Sequence, residues 1–199
     1  MKPATILCIA ASIMCAAVAI NQYDAYKARH QPPQPVSQTP EASPNIPETE
    51  QGASVMSLVG KPAPDFKLVS FDGSRTFRLS DYKGRPVIVT FWATYCGWCR
   101  EEAPWFSAMQ AKYAKHKLQI LGVVPLTDSS REEVTHALKT WGIKYPVLVS
   151  DHAAETSYYV NWFPTTIYIA PNGIVAKAEE ENVKGPARLE EDIQMLLGE

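Results

Sequence analysis

Disulfide staples are missing from this sequence. Of its four cysteines, Cys8 and Cys15 fall in the apolar run at the extreme N-terminus, and only Cys96 and Cys99 belong to the part that reads as globular. A secreted domain held together by disulfides shows several spaced pairs instead. A dominant charge is missing too: 19 Lys and Arg stand against 21 Asp and Glu, a formal net charge of −2. No field of one sign favours nucleic acid or an anionic surface, so no nucleic-acid partner is expected. No second CxxC and no HxxxH accompany the cysteine pair, and His30, His116, His136 and His152 are scattered. The four ligands of a structural zinc site are therefore absent. No internal repeat is evident. What is present in the C-terminal stretch, roughly 140 residues, suffices for one domain with its own core.

Charge is absent between Lys2 and Asp24, a stretch that opens with PATILCIAASIMCAAVAI. This combines a short positive n-region with an apolar h-region, and Ala17-Val18-Ala19 fits a small-x-small cleavage site. The same run is close to the minimum length for a membrane span. Pro32, Pro33, Pro35, Pro40, Pro44 and Pro47 follow in a stretch with no room for helix or sheet, which reads as an extended, semi-rigid spacer. A spacer implies something to be spaced from. The expectation is an N-terminal anchor over residues 1–20, with a cleaved signal peptide as the alternative, then a proline-rich linker over 21–58 and a folded domain over 59–199. Either reading puts the domain outside the cytoplasm, in contact with the membrane through its N-terminus if the anchor is kept.

In the globular part, Phe66–Val69 and Thr76–Leu79 flank Asp72-Gly73 and read as a β-hairpin. Pro86–Trp92 is a continuous run rich in β-branched residues, as in a strand buried on both faces. A helix is expected from the cysteine pair to about Lys115, kinked at Pro104. Leu118–Val124 is a second buried strand, and Ser130-Arg131-Glu132-Glu133 is a capping-box pattern opening a helix that ends at Gly142. Val147–Val149, Thr165–Ala170 and Ile174–Ala178 complete the strands, and Pro186 starts a last helix that carries Leu189, Ile193, Leu196 and Leu197 on one face. This order implies an α/β fold with a mixed central sheet flanked by helices.

The stretch FWATYCGWCREEAPWF places Cys96 after a strand and at a helix start. Backbone N–H groups and the helix dipole stabilise a thiolate there. A second cysteine one turn on can resolve a mixed disulfide, so the pair forms a two-electron couple. A purely structural bridge would close a loop of two residues and constrain little. Two thiolates also suit Cu(I), and that reading stays open beside thiol–disulfide exchange.

Phe91-Trp92-Ala93-Thr94-Tyr95-Cys96-Gly97-Trp98-Cys99 resembles the active-site stretch of the thioredoxin superfamily. Gly60-Lys61-Pro62-Ala63-Pro64-Asp65-Phe66 with its hairpin, Cys99-Arg100-Glu101-Glu102-Ala103-Pro104, and Phe163-Pro164-Thr165-Thr166 ahead of Asn172-Gly173 narrow the resemblance. They match the TlpA/ResA/CcmG group of extracytoplasmic thiol–disulfide oxidoreductases, over about Gly60 to Leu197. The resemblance implies a thioredoxin fold with an N-terminal β-hairpin extension. It implies Cys96 as the exposed attacking cysteine, Cys99 as the buried resolving one, and Pro164 as a cis-proline beside them that leaves the Phe163 backbone free to pair with a bound peptide. Glu102, three residues after Cys99, lies on the same side of the helix and is expected to oppose thiolate formation and carry a proton. Trp98, Trp162 and Phe163 are expected to form an aromatic rim that binds partners.

Two departures stand out. Thr90 occupies the place of thioredoxin's buried aspartate, leaving Glu102 as the expected sole carboxylate at the site, and Trp98 replaces the proline that many relatives have between the cysteines. Val89 and Thr90 do not supply the proline-and-threonine approach of peroxiredoxins. The expected activity is reduction of disulfides in exported proteins, one pathway being cytochrome c maturation, with electrons from a membrane thiol donor. The alternatives are a DsbA-like oxidant or a copper-binding protein. No bound cofactor is required, because the cysteines carry the electrons.

Overall fold

A computed structural model of the chain describes residues 54–198. The anchor or signal peptide expected over 1–20, and the linker up to residue 53, lie outside the described residues. Among the described residues no helix is long and apolar enough to cross a membrane. Packed structure begins earlier than residue 59: Val55–Leu58 forms a 3₁₀ turn whose Val55 and Leu58 are buried against the core, so the end of the expected linker belongs to the fold.

Seven strands form one sheet in the order β2-β1-β5-β4-β3-β6-β7. They are β1 (Lys67–Ser70), β2 (Thr76–Arg78), β3 (Val87–Phe91), β4 (Gln119–Val124), β5 (Val147–Val149), β6 (Thr165–Ile169) and β7 (Val175–Glu179). β3 pairs in parallel with β4, and β4 with β5; β1/β2, β1/β5, β3/β6 and β6/β7 are antiparallel. The sheet is mixed, as the element order implies. All five residues of β3 and of β6 are buried, the pattern of central strands covered on both faces.

Alternation along β3 divides the core. Val87, Val89 and Phe91 face one cluster with Leu121, Val123, Ile167 and Tyr158. Ile88 and the following Trp92 face the other, with Phe106, Met109, Leu189 and Ile193. The second face carries helices α1 (Gly97–Lys112), α2 (Arg131–Thr140) and α4 (Pro186–Leu197); the short α3 (Ala153–Ser157) lies with Tyr158 on the first. α1 buries Cys99, Glu102, Ala103, Phe106, Ser107 and Met109, the spacing of one helical face. It runs through Pro104 to Lys112. Pro104 is on the exposed side, and the carbonyl of Arg100 that its missing N–H cannot reach is on the exposed side too, where water can take its place. α2 starts with the expected capping box: the Ser130 hydroxyl accepts from the Glu133 N–H at 3.2 Å and the Glu133 carboxylate accepts from the Ser130 N–H at 2.8 Å.

Candidate functional site

β3 delivers Trp92 and Ala93 into a short loop, and the chain turns into α1 at Cys96. The loop is pinned from the side. Ser129, itself buried, accepts hydrogen bonds from the Thr94 N–H at 3.0 Å and from the Thr94 hydroxyl at 3.1 Å. Cys96 and Cys99 are joined as a disulfide with Cα atoms 5.3 Å apart. Cys96 is the N-cap of α1, and its Sγ accepts the backbone N–H of Cys99 at 3.1 Å. On reduction that donor and the helix dipole favour negative charge on Cys96 sulfur. The expected contrast of an exposed Cys96 with a buried Cys99 is not seen: the residues are 7 % and 5 % exposed. Position at the helix cap, not exposure, sets the two apart, because the bridge folds both sulfurs against the same helix turn.

Glu102 is 1 % exposed, one turn below Cys99, and its Oε1 accepts the N–H of Val183 at 2.6 Å. Burial pushes its carboxyl up from the ordinary 4.5 to about 7; the Val183 N–H opposes this, and the negative charges of Glu179 and Glu101 add to it. Thr90 of β3 is buried, its hydroxyl accepting from that of the equally buried Thr166 of β6 at 3.3 Å. The desolvated phenols of Tyr145 and Tyr168 are pushed up as well, with the Glu102 charge contributing to each.

The sheet register brings the second loop to the cysteines. Thr165, the first residue of β6, pairs with Phe91, the last of β3. The Phe163–Pro164 peptide bond just before it is cis. Phe163 is half-buried and meets the ring of Tyr95 edge-on at 6.4 Å. Trp98 and Trp162 stand out from the surface, 55 % and 70 % exposed, and neither stacks on another ring among the described residues. The rim is thus a Tyr95–Phe163 pair with two separate indoles. The sequence marks Tyr95 only by its adjacency to Cys96, because its 69 % exposure depends on the loop conformation. Beside Tyr95 a groove of about 540 Å³ opens towards α2, lined by Thr94, Arg100, Asp128, Glu132 and His136.

The arrangement supports exchange chemistry: a sulfur at a helix cap, a second sulfur one turn on, and a buried carboxyl group that changes protonation near neutrality. Comparisons agree. Residues 59–178 match the AhpC/TSA family. The thioredoxin-like protein YneN of Bacillus subtilis is 31 % identical over 66 % of this chain and 76 % of its own length. The thiol-disulfide oxidoreductase ResA of Geobacillus thermodenitrificans is 33 % identical over 60 % of this chain and 67 % of its own. A crystal structure of a thiol:disulfide interchange protein of the thioredoxin family from Chlorobium tepidum superposes with a TM-score of 0.62 at 29 % identity, covering 69 % of this chain and 96 % of that one. With the fold, the CxxC pair and these relatives in agreement, the chain belongs to the AhpC/TSA family of the thioredoxin superfamily and is a thiol–disulfide oxidoreductase of the TlpA/ResA/CcmG-like group.

Proposed function

We propose that the enzyme reduces disulfides in exported proteins on the outer side of the cytoplasmic membrane, held there by residues 1–20 and receiving electrons from a membrane thiol donor. The observation that carries this reading is the N-cap disulfide of Cys96 and Cys99 with the buried Glu102 carboxyl one turn below it. In the reduced enzyme the Cys96 thiolate attacks one sulfur of a partner disulfide. A Cys96–partner bond forms and the partner's other sulfur leaves as a thiolate. Cys99 then loses its proton to Glu102, which the buried site tunes to exchange protons near pH 7. The Cys99 thiolate attacks Cys96 sulfur, the mixed disulfide breaks, and the partner's second sulfur departs as a thiolate. Two electrons have moved to the partner, and the enzyme holds the Cys96–Cys99 disulfide. A dithiol on the membrane donor reduces it by the same steps in reverse.

The loop at Phe163-Pro164 offers main-chain groups to an extended partner segment, and Tyr95, Trp98 and Trp162 supply apolar contact around it. The resemblance to the TlpA/ResA/CcmG group makes cytochrome c maturation one destination for the electrons. The direction of flow is tested by the reduction potential of the full-length protein in glutathione buffers. A value near about −270 mV supports a reductase; a value near about −120 mV overturns the direction and makes the enzyme an oxidant of exported proteins.

A further inference from the structure

Cross-strand pairing aligns one row of side chains on the face that α1 and α4 cover. Thr90 pairs with Gly122 on one side and with Thr166 on the other, and Thr166 pairs with Glu179. Directly paired residues share a face. Ile88 and Trp92, two residues either side of Thr90, belong to the cluster that contains the cysteines, so Glu179 faces the redox side as well. The row holds no acid at Thr90, and its first acid comes two strands further on.

That acid is held in place. Glu179 Oε2 accepts from the Tyr168 hydroxyl at 3.1 Å, and Glu179 Oε1 lies 2.7 Å from Lys177 Nζ. The same ammonium sits 2.7 Å from Asp192 of α4, which is 3 % exposed and within 3.6 Å of Arg188. Lys177 pairs with Tyr168 in the register, so the clamp stands on the same face. Four residues after Glu179, Val183 gives its N–H to Glu102. One strand and the turn after it therefore bring to Glu102 both a hydrogen-bond donor that favours its charge and a negative charge that opposes it.

We propose that Glu179 is the second carboxylate of the redox site, a positioning residue that acts through Glu102, and that Lys177 sets how much of its charge Glu102 feels. The inference rests on the proton role given to Glu102 above. The groups that face Glu102 are Glu101 of its own helix, Glu179 of β7, Tyr168 of β6 and Tyr145 ahead of β5, besides the cysteine pair. Glu101 is exposed and pairs with none of them, so Glu179 is the neighbour whose charge the fold regulates.

The test is a pH titration of the oxidised full-length protein by infrared difference spectroscopy. The Glu102 carboxyl band is identified by its loss in Glu102→Gln. Glu179→Gln keeps the Tyr168 hydrogen bond and removes the charge, so the Glu102 midpoint should fall, by on the order of half a pH unit. Lys177→Met leaves Glu179 and Asp192 unbalanced, so the midpoint should rise by a similar amount, and Lys177→Arg should restore it. Opposite shifts from two substitutions in one ion pair are what a packing defect would not produce. Unchanged midpoints, or shifts of the same sign in both, overturn the proposal. If no band lost in Glu102→Gln titrates near neutrality, the proton role of Glu102 falls and this inference falls with it; a Glu102 band that titrates without responding to either variant overturns the inference alone.

Discussion

Replacing Glu102 by Gln should make the protein more stable at pH 8 and less sensitive to pH. The carboxyl group is buried, and its value rises from 4.5 to about 7 in the folded protein, chiefly through desolvation. The native state therefore binds this proton more tightly than the unfolded chain does. The stabilisation from the neutral form is complete below about pH 4.5 and is lost as pH rises through about 7. The gap between the two values corresponds to about 3 kcal/mol. Glutamine cannot ionise, and its carbonyl can still accept the Val183 N–H. The assay is urea unfolding of the oxidised protein and of Glu102→Gln at pH 4.5, 6 and 8, with the disulfide intact in both. Other groups, such as Asp72 and Glu133, whose values are lowered by hydrogen bonds, titrate alike in the two proteins and cancel in the difference. The stability difference should swing towards the variant by about 3 kcal/mol from pH 4.5 to pH 8. A difference that stays flat within about 0.5 kcal/mol would refute the reasoning, because Glu102 would then titrate as an ordinary carboxyl group.

Two further outcomes are expected. Cys99→Ser should accumulate mixed disulfides between Cys96 and partner proteins, visible on non-reducing gels, whereas Cys96→Ser should accumulate none; equal trapping by both would reverse or erase the division of roles drawn from the N-cap. Gly122→Ala should cost about 1–3 kcal/mol in urea unfolding, because its Cβ would lie 2.8 Å from Tyr145 Cε2 and 3.0 Å from Trp92 Nε1, with no flexible neighbour to yield; wild-type stability would show that the ring layer under α1 can shift.

Much of the site was legible because its signals are local. Cys96 and Cys99 sit at a strand-to-helix junction that apolar periodicity alone locates, and Pro164 sits just before a strand whose composition marks it as buried. The capping box at Ser130 and the first-turn proline at Pro186 placed two helix starts at the observed residues, since caps are satisfied within a single turn of chain. The linker boundary was misplaced because Val55 and Leu58 have no periodic partners in sequence; only packing against the sheet identifies them as core.

Electrostatics was the part that needed the tertiary structure. The sequence puts Glu102 on the cysteine side of its helix, and burial of that side follows from the helical period. It says nothing of Val183, 81 residues on, whose N–H meets the carboxylate. Nor does it tell that Glu179, one residue beyond the expected end of its strand, comes into register with Thr166 and Thr90. Asp192 of the last helix is buried, and its charge is met there by Lys177 from β7 and by Arg188 one turn earlier, a pairing across elements that no local pattern announces. Local sequence determined where the cysteine pair lies and the elements that carry it, since hydrophobic period, caps and turns act over a few residues. The proton affinity around that pair was decided by strands and helices far apart in the chain, because charge interactions depend on distance in space and on the water that packing removes.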